Sequence, residues 1–155
     1  MINRKPVRPE KALIRLEELC CRSEQCEGEA RRKLRTWQIG SDDTEKIIAS
    51  LKKRRFIDDS RYAAAFVRDR YRFAKWGRRK ISMELRCKGI DSETAQTAME
   101  EIDEEEYYSI LAHIIAVKAR PMERPLSYEN RVKLFRFGVM RGYESTLVSK
   151  AVKSL

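Results

Sequence analysis

Apolar residues recur at spacings of three and four along nearly the whole chain, and strict alternation is almost absent, so the pattern predicts helices throughout. About nine can be placed. The first covers Lys11 to Arg22 and turns Ala12, Leu16 and Leu19 inward, and Ser23 is placed to cap a second that runs to Trp37. Gly40 breaks the chain, and Ser41 and Asp42 offer cap oxygens to a third helix through Ile47, Ile48 and Leu51. Asp58 and Asp59 set negative charge at the start of a fourth, which the pattern extends to Trp76 with Gly77 as its stop. A fifth spans Arg78 to Cys87, a sixth runs from Asp91 and Ser92 to Ile102, and a seventh from Glu104 to Ala119. Beyond a linker marked by Pro121 and Pro125, two more fill Tyr128 to Met140 and Glu144 to the end. The expected fold class is all-α.

The helices overlay on one another. Moving Leu34 to Leu51 along by 51 positions sets Leu34 on Leu85, Ile39 on Ile90, Ser41 on Ser92, Ile48 on Met99 and Leu51 on Ile102, with no gap. A further shift of 53 sets Gly89-Ile90 on Gly142-Tyr143, Ala98 on Ala151 and Met99 on Val152. Three tandem three-helix repeats forming an elongated array are the simplest reading, each unit packing mainly on its neighbours. The boundaries are a flexible N-terminal segment over 1–10 and repeats over 11–56, 57–103 and 104–155. Two departures stand out: Gly138 falls where Leu34 and Leu85 predict a bulky residue, which suggests looser packing, and Gln25 to Gly28 read as a small insertion.

Charge is distributed unevenly over this array. Between Lys52 and Lys88, fourteen Lys and Arg stand against Asp58, Asp59, Asp69 and Glu84, a surplus equal to the whole chain's net charge of +10. Such clustering raises the local potential and favours an acidic or polyanionic partner. On a helix from Asp59 to Trp76, Arg61, Arg68, Arg72 and Lys75 fall within an arc of about 60°, opposite a packing face of Tyr62, Ala63, Phe66, Val67, Phe73 and Ala74. Arg78, Arg79 and Lys80 follow Gly77 directly, so these seven cations are the candidate binding ridge. Asp91 to Glu106 is the counterweight, with eight acids and no Lys or Arg. Those acids either pair with the ridge or form a separate patch that orients a basic partner.

At 155 residues and 42% hydrophobic content a folded core is affordable, while 37% charged residues, against about 25% on average, suits helices with much exposed surface. No apolar run reaches the roughly 20 residues of a membrane span, and the N-terminus has no secretory apolar region, so a cytoplasmic protein is expected. Cys20, Cys21, Cys26 and Cys87 match no zinc spacing and read as small packing residues. Catalytic chemistry finds little support. His113, the only histidine, lies in the apolar run Leu111 to Val117 and reads as an interior or half-buried imidazole, and no phosphate loop, nucleophile elbow or metal motif occurs. No cofactor or metal is expected. Direct nucleic-acid binding stays open, because Arg70-Tyr71-Arg72-Phe73-Ala74-Lys75-Trp76 interleaves bases with aromatics, with Tyr71 and Trp76 flanking the ridge.

The order Asp58-Asp59-Ser60-Arg61-Tyr62-Ala63, then Gly77, Ile81, Glu84-Leu85 and Lys88-Gly89-Ile90, resembles the central signature of the RecX regulatory proteins. Arg22-Ser23-Glu24 with Arg31 to Leu34 is similar to that family's first-repeat motif, and Arg141-Gly142-Tyr143 to its last. The resemblance implies a curved array of three three-helix repeats that binds RecA protein and the RecA-DNA filament, lodges in the filament groove, and mostly inhibits ATP hydrolysis, strand exchange and coprotease activity. It implies action by binding rather than catalysis. Asp58, Asp59, Tyr62, Ala63, Gly77, Glu84, Leu85, Gly89 and Ile90 are then architectural, and the ridge is the contact surface, with weak direct DNA contact and a monomeric chain also expected. The alternatives are a sequence-nonspecific DNA-binding helical module with no RecA role, and a helical adaptor for another charged protein.

Overall fold

The computed structural model describes residues 5–155. Within them every regular element is helical: α1 (Pro9–Arg22), α2 (Glu27–Thr36), α3 (Ser41–Lys53), α4 (Asp59–Arg72), α5 (Arg78–Cys87), α6 (Ser92–Ala98) continued by a 3-10 turn (Met99–Glu101), α7 (Glu104–Ala119), α8 (Tyr128–Met140) and α9 (Ser145–Lys153). Side-chain oxygens of Asp58, Asp91, Asp103 and Ser127 accept from the backbone N–H groups of Arg61, Thr94, Glu106 and Asn130, so α4, α6, α7 and α8 open on their own caps. Pro9 starts α1 two residues ahead of Lys11, because proline at the first helical position loses no needed donor.

α1 and α2 pack on α3; α4, α5 and α6 pack on one another, as do α7, α8 and α9; α4 also meets α7. The apolar interior divides unequally. Ala12, Leu16, Ala30, Leu34, Ile47, Ile48, Leu51 and Ile57 form one buried cluster, and a larger one runs continuously from Tyr62 to Val152. Cys26, just ahead of α2, belongs to the larger cluster and so anchors the first three helices to the rest. The accessible surface, 10492 Å², exceeds the about 8,100 Å² expected for a compact monomer of this mass. The helical layers are therefore arranged openly.

Glycines set how closely the layers approach. A Cβ on Gly28 would stand 2.2 Å from the Lys88 carbonyl oxygen, and one on Gly77 2.1 Å from the Gly142 carbonyl carbon. In both places the start of a group's middle helix lies backbone to backbone against the turn after the middle helix of the next group. Gly77 N–H donates to the Arg141 carbonyl at 2.8 Å and Arg79 N–H to the Gly142 carbonyl at 3.0 Å. Neither α2 nor α5 has a side-chain cap of its own. Instead Glu27 N–H donates to Asp59 Oδ1 at 2.9 Å and Arg78 N–H to the Tyr107 hydroxyl at 3.0 Å, so the following group caps the preceding one. α8 ends the series and relies on Ser127 alone.

Several expectations change. Ser23 terminates α1, its N–H bonded to the Leu19 carbonyl, and does not cap α2. Gly40, not Ser41, precedes α3, and α4 ends at Arg72, with Lys75 in left-handed backbone (φ 57°), so Gly77 is a contact glycine rather than the stop. The stretch from Gln25 to Gly28 carries the junction: Cys26 joins the larger cluster, Glu27 N–H meets Asp59 and Gly28 abuts Lys88. Gly138 is not loosely packed, since a Cβ there would meet Val148 Cγ1 at 2.7 Å and Cγ2 at 2.9 Å: α9 has moved into the space. Cys26 alone of the cysteines is fully buried, whereas Cys21 and Cys87 are exposed, and His113 is exposed rather than interior. The expected flexible segment over 1–10 lies partly outside the described residues; within them Val7 N–H donates to the Trp37 carbonyl at 3.2 Å and Pro9 and Glu10 are helical.

Candidate binding surface

The first residues of α4 serve structure. Asp58 Oδ1 accepts from Arg61 N–H at 3.1 Å, and Asp59 reaches back to α2, where burial pushes its carboxyl above the ordinary range. Tyr62, Ala63, Leu85 and Ile90 are buried, and Gly89 holds φ +81° after α5, left-handed backbone that favours glycine. Glu84 has no ion-pair partner among the described residues.

The seven cations of the ridge do not act alike. Arg61 pairs with Glu24 at 2.7 Å, Arg68 with Glu101 at 3.1 Å and Arg72 with Glu106 at 3.1 Å. Arg78 is held between Glu104 and Glu144 (3.2 Å to the latter) while its guanidinium lies 4.2 Å from the Tyr107 ring centre. Tyr107 in turn donates to Glu144 at 2.8 Å and packs on Tyr143, whose phenol is pushed up to about 12 by burial. Of the two roles open to the acids of Asp91 to Glu106, pairing is therefore realised for Glu101, Glu104 and Glu106, and Asp91 and Asp103 are spent on helix caps. Pairs this exposed contribute little stability, but they hold the cations in fixed places.

Lys75, Arg79 and Lys80 have no acidic partner among the described residues, and all three stand within four residues of Trp76 along the chain. Lys80 Nζ lies 4.4 Å from the Trp76 ring centre, and Arg70 stacks over the same ring at 5.0 Å and over Phe66 at 4.7 Å. Across the junction Arg141 and Lys118 lie 5.5 and 5.3 Å from the Phe137 ring. The aromatic assignments at the end of α4 are reversed: Tyr71 is fully buried, its hydroxyl 3.1 Å from Glu106, and Phe73 is 79% exposed. Phe73 leaves the helical wheel because α4 stops at Arg72, while Tyr71 follows Val67 at a spacing of four and so shares its buried face. Arg70 was missed as a site residue; its signal is the spacing of four from Phe66, which aligns guanidinium and ring on one face. Among the described residues no group of His, Cys, Asp and Glu is placed to hold a metal, and no helix is long and apolar enough to cross a membrane.

Residues 58–99 match the family model described as RecX, second three-helix domain. The chain is 37% identical over 108 residues to the regulatory protein RecX of Pectobacterium atrosepticum, covering 68% of this chain and 64% of that one, and 34% identical over 103 residues to its counterpart in Salmonella heidelberg, covering 66% and 60%. It thus spans less than two thirds of the length of these curated relatives. In fold it is similar to the crystal structure of RecX from Lactobacillus salivarius, with a TM-score of 0.84 at 20% identity over 95% of this chain and 96% of that one. A second crystal structure, of a regulatory protein RecX, superimposes with a TM-score of 0.83 at 22% identity, over 95% and 72%.

Proposed function

The chain belongs to the RecX family, and from that membership we propose that it regulates the RecA recombinase by binding RecA protein and its filament on DNA, mostly inhibiting ATP hydrolysis, strand exchange and coprotease activity, without catalysing a reaction of its own. The observation that supports this reading is the group of cations left unpaired around Trp76. Lys75, Arg79 and Lys80 are available to an acidic protein surface or to phosphate, whereas Arg61, Arg68, Arg72 and Arg78 are engaged within the chain. The first three are the direct contacts of the proposal, and the other four position the helices that present them. Three three-helix units, 11–56, 57–103 and 104–155, would let a monomer reach neighbouring RecA subunits and hinder their rearrangement. The test is the ATPase rate of RecA filaments on single-stranded DNA with wild type and with Lys75→Glu/Arg79→Glu/Lys80→Glu. Wild type should lower the rate and the triple variant should have lost at least tenfold in potency; no effect of folded wild-type protein would overturn the proposal.

One observation favours a second reading, a DNA-binding module with no RecA role. Trp76 has Arg70 and Lys80 at 5.0 and 4.4 Å from its ring centre, and an aromatic ring beside cations is the combination that holds single strands by stacking and phosphate contact. That reading expects tight binding to single-stranded DNA without RecA, falling steeply with salt as counterions are released. Weak binding at moderate salt would count against it.

A further inference from the structure

The apolar groove between α8 and α9 is neither part of the Trp76 surface nor filled by the chain. It is open, holds about 340 Å³, and is lined by Tyr128, Val132, Phe135 and Val152, with Arg131 and Lys153 at its rim. Tyr128 is 82% exposed, an unusual position for an aromatic side chain beside an apolar cleft. The rim cations have no acidic partner among the described residues, α9 contains no acid, and the only acid of α8 is Glu129. The groove is thus apolar at its floor and positive at its edge.

We propose that this groove binds an acidic amphipathic helix of a partner protein, its apolar residues seated on Tyr128, Val132 and Phe135 and its carboxylates paired with Arg131 and Lys153. Charge selects this occupant, because a basic or neutral helix would leave both rim cations unpaired. A second copy continuing the array is a poorer fit. At the two internal junctions the turns at Lys88-Gly89 and Gly142 receive the preceding group, and the matching turn at Trp37-Gln38 already receives Val7 N–H from its own chain. The proposal holds whether or not the chain acts on RecA, since it uses none of the Trp76 residues.

Fluorescein-labelled helical peptides test it by anisotropy against the full chain: one with Leu and Phe on one face and Glu on the other, one with Lys replacing Glu, and one with Ser replacing the apolar residues. The acidic amphipathic peptide should bind at least tenfold more tightly than either control. Arg131→Glu/Lys153→Glu and Tyr128→Ser each alter exposed side chains and should weaken that binding at least tenfold with an unchanged circular dichroism spectrum. Lys75→Glu/Arg79→Glu/Lys80→Glu should leave it unaltered, which separates this groove from the surface proposed above. Equal binding of all three peptides, no binding of the acidic one, loss only in the Trp76-surface variant, or a concentration-dependent dimer formed through Tyr128 would overturn the proposal.

Discussion

Asp59 shows how one side chain serves two layers at once. Its position next to Asp58 reads as plain helix-start chemistry, and Asp58 does exactly that work locally, but the Asp59 carboxylate accepts from Glu27 N–H, 32 residues earlier, and substitutes for the cap that α2 lacks. No local pattern reveals an acceptor so distant, which is why the pair looked uniform in the sequence. Asp59→Ala strands that N–H in a partly buried place and should cost about 1–3 kcal/mol in urea unfolding. Asp59→Asn keeps the acceptor and removes the ionisation. Because burial raises the folded-state pKa, the protonated form is the one folding favours: its stability is fully present below the unfolded pKa and is lost as pH rises through the folded one. Wild type should therefore lose stability relative to Asp59→Asn as pH rises through the carboxylate range, and a difference that stays flat or has the opposite sign would contradict this account. Arg78 is a candidate ridge cation in the sequence, where the acids of Asp91 to Glu106 are the visible partners, and Glu144, 66 residues away, is invisible from its neighbourhood. Arg78→Glu sets a carboxylate against Glu104 and Glu144 and strands partly buried acceptors, so it should lower stability by about 1–3 kcal/mol, as measured by the urea midpoint, where Arg79→Glu should leave it unchanged within about 0.5 kcal/mol.

At the level of the helices, the overlay of apolar positions was legible and its meaning was not. Shifts of 51 and 53 set Gln38, Gly89 and Gly142 on one another, and the three share left-handed backbone, with φ of 58°, 81° and 95°. The left-handed turn explains why glycine suits all three positions, but not why the first tolerates glutamine. Packing separates the first position from the last: a Cβ on Gly142 would lie 2.5 Å from Lys80 Cβ, whereas one on Gly89 would meet only Gly28 Cα at 3.8 Å, and the turn at Gln38 takes the Val7 N–H on the Trp37 carbonyl. Gly142→Ala should thus destabilise by about 2–4 kcal/mol, combining left-handed strain with the clash, and Gly77→Ala should do the same through clash alone. Gln38→Gly, at the matching position, should shift the thermal midpoint by only a degree or two either way, on the order of 0.5 kcal/mol. If all three substitutions had equal effects, close approach between the layers would not be what selects glycine. Helix ends were the least legible elements, because α2 and α5 take their N-terminal partners from the next layer rather than from their own sequence.

For the molecule as a whole, the unequal division of the core predicts unequal local stability. The first three helices bury eight residues in a cluster of their own, against twenty-one in the cluster that the other six share with Cys26. Buried apolar area supplies most of the stability of each part, so the smaller cluster should open at lower free energy than global unfolding. What resists that opening is the junction: Cys26 in the larger cluster, Asp59 on Glu27, and ion pairs from Lys88 to Glu29 at 2.6 Å and Arg61 to Glu24 at 2.7 Å. Native-state hydrogen exchange across a urea series separates the two parts. Amides of Ile47, Ile48 and Leu51 should exchange through a sub-global opening, while those of Leu111, Ile115 and Leu134 exchange only with global unfolding. Asp59→Ala removes a contact that both openings lose, so it should lower protection in α1 to α3 and in α7 to α9 by the same factor, roughly tenfold or more, the equivalent of about 1.4 kcal/mol, and keep the gap between the two parts. A single opening free energy for all these amides, in wild type and variant alike, would mean that α1 to α9 unfold as one unit despite the divided core.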